Sequence, residues 1–216
     1  MLGWIKAQWF RFVTNGAFYS ENMSIAQWRR RHSRVLVRQI LSSLKLQPVS
    51  LAVEIAGACV TAMFLWPVVN PILLVFWLLL VGVHFYGAID FNRRFWADRY
   101  RHARIHFWMK AWMVLAVVGG LIWALAGMTF AYNVGNDSAS QVILFSVILT
   151  VTFASWPVYA CWLPSLVVFT LCSIIPWVLR LALIFGWSSL VIAVLLFTVW
   201  FFVFYSGRRF NDSFQM

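Results

Sequence analysis

The stretch Pro71-Ile72-Leu73-Leu74-Val75-Phe76-Trp77-Leu78-Leu79-Leu80-Val81-Gly82-Val83-His84-Phe85-Tyr86-Gly87-Ala88-Ile89 decides the fold. A helix that crosses a bilayer needs about 20 mostly apolar residues, and this run reaches that length without one Lys, Arg, Asp or Glu. Asp90, Arg93, Arg94 and Arg99 follow it at once, interleaved with Phe91, Phe95 and Trp96. Arginine and aromatic side chains immediately after an apolar run suit a helix that is leaving the hydrocarbon for the headgroup layer.

Five further runs have the same character. The spans are expected at about 48–66, 71–89, 111–132, 140–160, 164–185 and 187–205, with Pro48, Pro71 and Pro164 suiting first helical positions. Composition agrees. Apolar residues make up 63% of the 216-residue chain and charged residues 11%, against about 45–50% and about 25% in soluble domains. The 14 Trp and 20 Phe fit rings placed at membrane interfaces.

The charge pattern orients the bundle. Lys6, Arg11, Arg29, Arg30, Arg31, Arg34, Arg38 and Lys45 precede the first span; Arg93, Arg94, Arg99, Arg101, Arg104 and Lys110 lie between the second and third; Arg208 and Arg209 follow the sixth. The other connections carry no Lys or Arg. The positive-inside rule then puts both ends in the cytoplasm. The expected fold is an all-α integral membrane protein, a bundle of six transmembrane helices in the bacterial inner membrane, N-in and C-in. Residues 1–45 form a basic amphipathic segment lying on the headgroups, 46–206 the membrane domain, and 207–216 the start of a cytoplasmic linker. The net charge of +11 is thereby an orientation and lipid-contact signal, and no nucleic-acid partner is expected. Arg30, Arg31, Arg34, Arg38, Arg93, Arg94 and Trp96 are the expected headgroup contacts. The connections at the far face are short, leaving no room there for a sensing domain.

Ionisable groups at membrane depth are functional candidates by default. Glu54 shares a helical face with Ala58 and Ala62, so it is expected to point into the bundle, as a ligand or proton site or as the partner of a cation near the cytoplasmic side, with direct reach to the headgroups as the alternative. His84 is either a hydrogen-bonded structural histidine or a proton-sensitive group. Arg180, one turn after Pro176, either snorkels to headgroups or binds an anion at the outer mouth. Trp123, Trp156 and Tyr159 are candidate pocket walls, with aromatic packing as the alternative. Cys59, Cys161 and Cys172 lack ligand spacing, and His84 has no facing histidine for haem, so neither metal nor cofactor is expected. No nucleophile elbow, P-loop or HExxH motif is present, and five of the six acids fall in loops or at span ends. The chain is not expected to be an enzyme.

From about Arg31 onward the chain resembles the N-terminal membrane sensor regions that precede bacterial diguanylate cyclase (GGDEF), EAL or histidine kinase modules. The residues that carry the likeness are Arg34-Val35-Leu36-Val37-Arg38-Gln39-Ile40-Leu41, then Gly119-Gly120-Leu121-Ile122-Trp123-Ala124-Leu125-Ala126-Gly127, Pro157-Val158-Tyr159, Leu163-Pro164 and Ile175-Pro176-Trp177-Val178-Leu179-Arg180. The resemblance implies a homodimeric sensory or regulatory module. It would detect a membrane-embedded or small apolar signal and pass helix movements through the sixth span to a cytoplasmic output domain, in cyclic-di-GMP or two-component signalling. A scaffold subunit of a membrane complex and a small transporter or lipid-handling protein are the alternatives.

Overall fold

The computed structural model describes residues 25–134, 138–183 and 187–213, with side-chain surroundings at 33–130, 143–176, 178–179, 194–195, 197–207 and 209. Among these the only regular secondary structure is helix: α1 (Ile25–Leu65), α2 (Pro71–Ala97), α3 (Ile105–Val134), α4 (Ser138–Ala160), α5 (Leu163–Leu183) and α6 (Trp187–Ser213). Four helices are long and apolar enough to cross a membrane, α1 over Ser33–Leu65, α2 over its whole length, α3 over Ile105–Phe130 and α4 over Ile143–Ala160. The described parts of α5 and α6 hold shorter apolar stretches, Leu163–Pro176 and Phe197–Gly207.

Several helices outrun their expected bounds. Pro48, expected at a helix start, lies inside α1, so the basic lead-in and the first span form one continuous helix. Its amphipathic part is no separate surface helix: Leu36, Val37 and Ile40 are buried in the bundle while Arg34 and Arg38 stay exposed. Residues 1–24, where the rest of that segment was expected, lie outside the described residues, as do the side chains of Arg30 and Arg31. The basic and aromatic stretch after Ile89, beyond the expected end of the second span, is helical to Ala97. Its spacing explains this. Asp90 and Arg94 form an i,i+4 ion pair at 2.7 Å, and Phe91 stacks on Phe95 with ring centroids 6.2 Å apart, so the same 3.6-residue period that buries the apolar face also pairs the polar one. At the other end Pro71 occupies a first helical position as expected, with the Asn70 side chain accepting from the Ile72 N–H at 2.9 Å.

The turn after α2 is fastened by Asp98. Its carboxylate accepts the Trp108 indole N–H at 2.9 Å and the Tyr100 backbone N–H at 2.8 Å. These donors, Trp108 foremost, hold the Asp98 carboxyl below the usual carboxylate range. Ser33 of α1 donates to the His102 carbonyl at 3.0 Å, tying α1 to the same turn. Arg93 and Arg94 are exposed, and Arg101 lies over the exposed Trp96 ring at 5.5 Å. This basic, aromatic end of the bundle is called the basic end below.

α3 packs most extensively on α5, and α1 on α4, with α6 laid against α5 and α4. The interior holds two apolar clusters. One, at the basic end, gathers Ile40, Phe91, Phe95, Trp108, Trp112, Tyr159 and Phe169. The other, at the far end, gathers Leu65, Trp77, Trp123, Phe130, Leu144 and Ile148. Within the second, Trp77 donates to the Ile122 carbonyl at 3.0 Å and meets Trp123 and Phe130 edge-on, both at 5.4 Å.

Candidate functional site

Between the two apolar clusters lies a polar waist. α1 supplies it through a period that hydropathy alone conceals: Gln39, Ser43, Gln47, Ser50 and Glu54 recur every three or four residues and all are buried. Within an apolar bundle a polar stripe on a helix needs partners on other helices, and Gln47, Ser50 and Glu54 find them on α2 and α4.

Glu54 is 4% exposed and His84 5%. Glu54 Oε2 lies 3.5 Å from His84 Nδ1. Ser155 of α4 donates to Glu54 Oε1 at 3.4 Å, and its hydroxyl is 3.1 Å from that of Ser50. His84 Nε2 lies 3.3 Å from the Leu115 carbonyl of α3. Four helices therefore meet at one carboxyl–imidazole pair. Gln47 extends the network, donating to the Ala88 carbonyl and accepting from the Asn92 amide, each at 3.3 Å. The contacts are longer than the ~2.7–2.9 Å of tight charge-assisted bonds, so the pair is held with slack.

Both imidazole nitrogens face oxygens, which limits the proton arrangements. A doubly protonated His84 beside a carboxylate satisfies both contacts. So does a neutral His84 that donates from Nε2 to Leu115 and accepts at Nδ1 from a protonated Glu54. The two differ only in the position of one proton, and each leaves the pair electrically neutral, as a low-dielectric setting favours.

Packing enforces this geometry. A Cβ on Gly119 would stand 2.9 Å from His84 Nε2, so only glycine leaves the imidazole its place. Tyr159 closes the basic side of the site, stacked on Phe169 at 4.6 Å and 5.6 Å from Trp112. The enclosed space among Gln47, Glu54, His84, Trp112 and Tyr159 is about 10 Å³. That suffices for one water-sized group and for no larger ligand. The Trp112 indole N–H, on its wall, has no acceptor among the described residues.

Of the residues expected from sequence, Glu54, His84 and Tyr159 come together here. Trp123 does not: it belongs to the far apolar cluster, packed against Trp77. Trp156 is half-buried beside the basic-end cluster, next to Gly207 of α6. The side chain of Arg180 lies outside the described residues. Gln47, Ser50 and Ser155 are additions that the sequence reading missed; the 4-3-4 spacing of Ser43, Gln47, Ser50 and Glu54 was the available signal.

The order of groups also bears on chemistry. In a nucleophilic triad the histidine stands between hydroxyl and carboxylate. Here the carboxyl stands between Ser155 and His84, so the imidazole is not placed to take the Ser155 proton. The arrangement suits holding or moving a proton between helices. Compared with known proteins, the chain matches no family model, no curated protein and no solved structure.

Proposed function

We propose that the chain is a six-span membrane regulatory module of the bacterial inner membrane, with both ends in the cytoplasm. It moves between two helix arrangements and hands the difference to a cytoplasmic output through α6. The observation that carries this reading is the loosely held Glu54–His84 pair at the junction of α1, α2, α3 and α4. A polar contact between helices with more than one satisfied arrangement is a bistable element, and any ligand that favours one arrangement shifts the population. The closed space beside it favours a switch over a substrate site. α6 supports the output role: it runs without a break to Ser213, past the apolar stretch that ends at Gly207. Its exposed Phe197, Phe201, Phe202 and Tyr205 suit contact with lipid or with the second copy of a homodimer. The output belongs to cyclic-di-GMP or two-component signalling in this reading.

Orientation is tested with single cysteines in a chain whose Cys59, Cys161 and Cys172 have been replaced. Asn70→Cys reacts with an impermeant maleimide in right-side-out vesicles. Arg99→Cys and Arg209→Cys react only in inverted ones, and the opposite pattern overturns the topology.

The switch is tested through α6. With Phe202→Cys as reporter, Glu54→Gln changes the rate of disulfide formation between copies by about fivefold or more, the range of ordinary coupling energies. An unchanged rate in a correctly inserted protein removes the regulatory reading.

A further inference from the structure

A groove of about 500 Å³ runs between α1 and α2 on the outer surface of the bundle. Leu51, Ile55 and Phe85 line it towards the middle of the helices; Gln47, Asn92 and Arg93 line it towards the basic end. Along both helices polarity therefore rises in the same direction over eight residues, about 12 Å at the helical rise. That gradient is the gradient of a phospholipid, apolar at depth and polar at the headgroup.

Charge identifies the headgroup. Arg94 is neutralised by Asp90 at 2.7 Å. Arg93, beside it in sequence but turned to the groove, has no acidic partner among the described residues. The Asn92 amide stands next to it as a second donor and is committed only to a 3.3 Å bond with Gln47. An exposed cation and an amide donor above an apolar channel fit a phosphate diester attached to acyl chains.

We propose that this groove binds one anionic glycerophospholipid of the cytoplasmic leaflet, an acyl chain along Leu51, Ile55 and Phe85 and the phosphate on Arg93 and Asn92. The inference rests on the membrane reading above and names a signal class for it. Gln47 makes the connection. It lines both the groove and the closed space beside Glu54, so a phosphate that draws Asn92 away releases Gln47 at the edge of the waist.

The test is native mass spectrometry of the full chain, released from detergent containing equal amounts of phosphatidylglycerol and phosphatidylcholine. The wild type retains one phosphatidylglycerol in preference to phosphatidylcholine. Arg93→Gln lowers that retention about tenfold, the loss of one charge-assisted contact. Ile55→Trp, which fills the channel without touching the charge, lowers it as well, and Arg94→Gln leaves it unchanged. Equal retention of the two lipids, retention undiminished in Arg93→Gln, or an equal loss in Arg94→Gln overturns the site. The α6 disulfide rate, measured with and without phosphatidylglycerol, separates the two claims. A rate that responds to Glu54→Gln but not to a lipid that is demonstrably retained removes the lipid as the signal and leaves the groove and the regulatory reading standing; a rate that responds to neither overturns the regulatory reading and leaves the groove.

Discussion

Replacing Glu54 by alanine destabilises the fold by about 3–5 kcal/mol, and His84→Ala does the same, because each leaves a buried partner without its counter-group. Substituting both, as Glu54→Leu with His84→Leu, recovers most of the loss, since two apolar side chains replace a neutral pair that had been taken out of water. The energies are therefore strongly non-additive, and a double-mutant cycle reads the coupling directly. Reversible unfolding in mixed micelles, followed by tryptophan emission, is the measurement. Ordinary hydrogen bonds between membrane helices contribute only about 0.6 kcal/mol on average. Single-substitution costs near that value, adding without coupling, would demote the pair to one polar contact among many and sink the claim that it governs the state of the bundle.

The second large effect falls on Gly120. A Cβ built there lies 2.8 Å from the Phe169 carbonyl oxygen and 2.8 Å from Cys172 Cβ, both on α5. Neither obstacle is the far end of a flexible side chain, so the conflict cannot be relieved by a rotamer. Among the described residues α3 and α5 share the most extensive helix contact, and even alanine must push them apart. We expect Gly120→Ala to cost about 1–3 kcal/mol, in the range of overpacked cores, and Gly120→Val more. Gly82 is the internal control. It too is helical, but nothing stands within 4 Å of its added Cβ, so Gly82→Ala gains up to about 1 kcal/mol from helix propensity. Melting of Gly120→Ala together with the wild type would show that the two helices are not held at that distance.

Much of this is legible in the sequence. Runs of apolar residues announced the helices, and Glu54 and His84 stood out because ionisable groups within such runs are scarce. Their meeting was not announced, since it depends on the register between α1 and α2. Ser50 and Ser155 escaped because a serine barely lowers the hydropathy of its neighbourhood. Gln47 escaped because it sits beside Pro48, which the sequence reading took as the start of a span. Helix ends were misjudged for one physical reason: hydropathy measures the part of a helix that suits lipid, whereas hydrogen bonding continues through polar residues until something stops it. Asp90 and Arg94 prolong α2 in this way. Trp123 and Trp156 illustrate the opposite limit, for aromatic content marks burial and not which cavity a ring lines.

The length of α1 gives the waist mechanical reach. At 1.5 Å per residue its 41 residues extend about 62 Å, roughly twice the hydrocarbon thickness of a bilayer. Glu54 lies about 43 Å from the end at Ile25 by the same measure. A tilt of about 5° with its fulcrum at Glu54 displaces that end by about 4 Å. The long helix is thus a lever gripped at its fulcrum by His84 and Ser155. A rearrangement too small to open the bundle could still be felt well outside it.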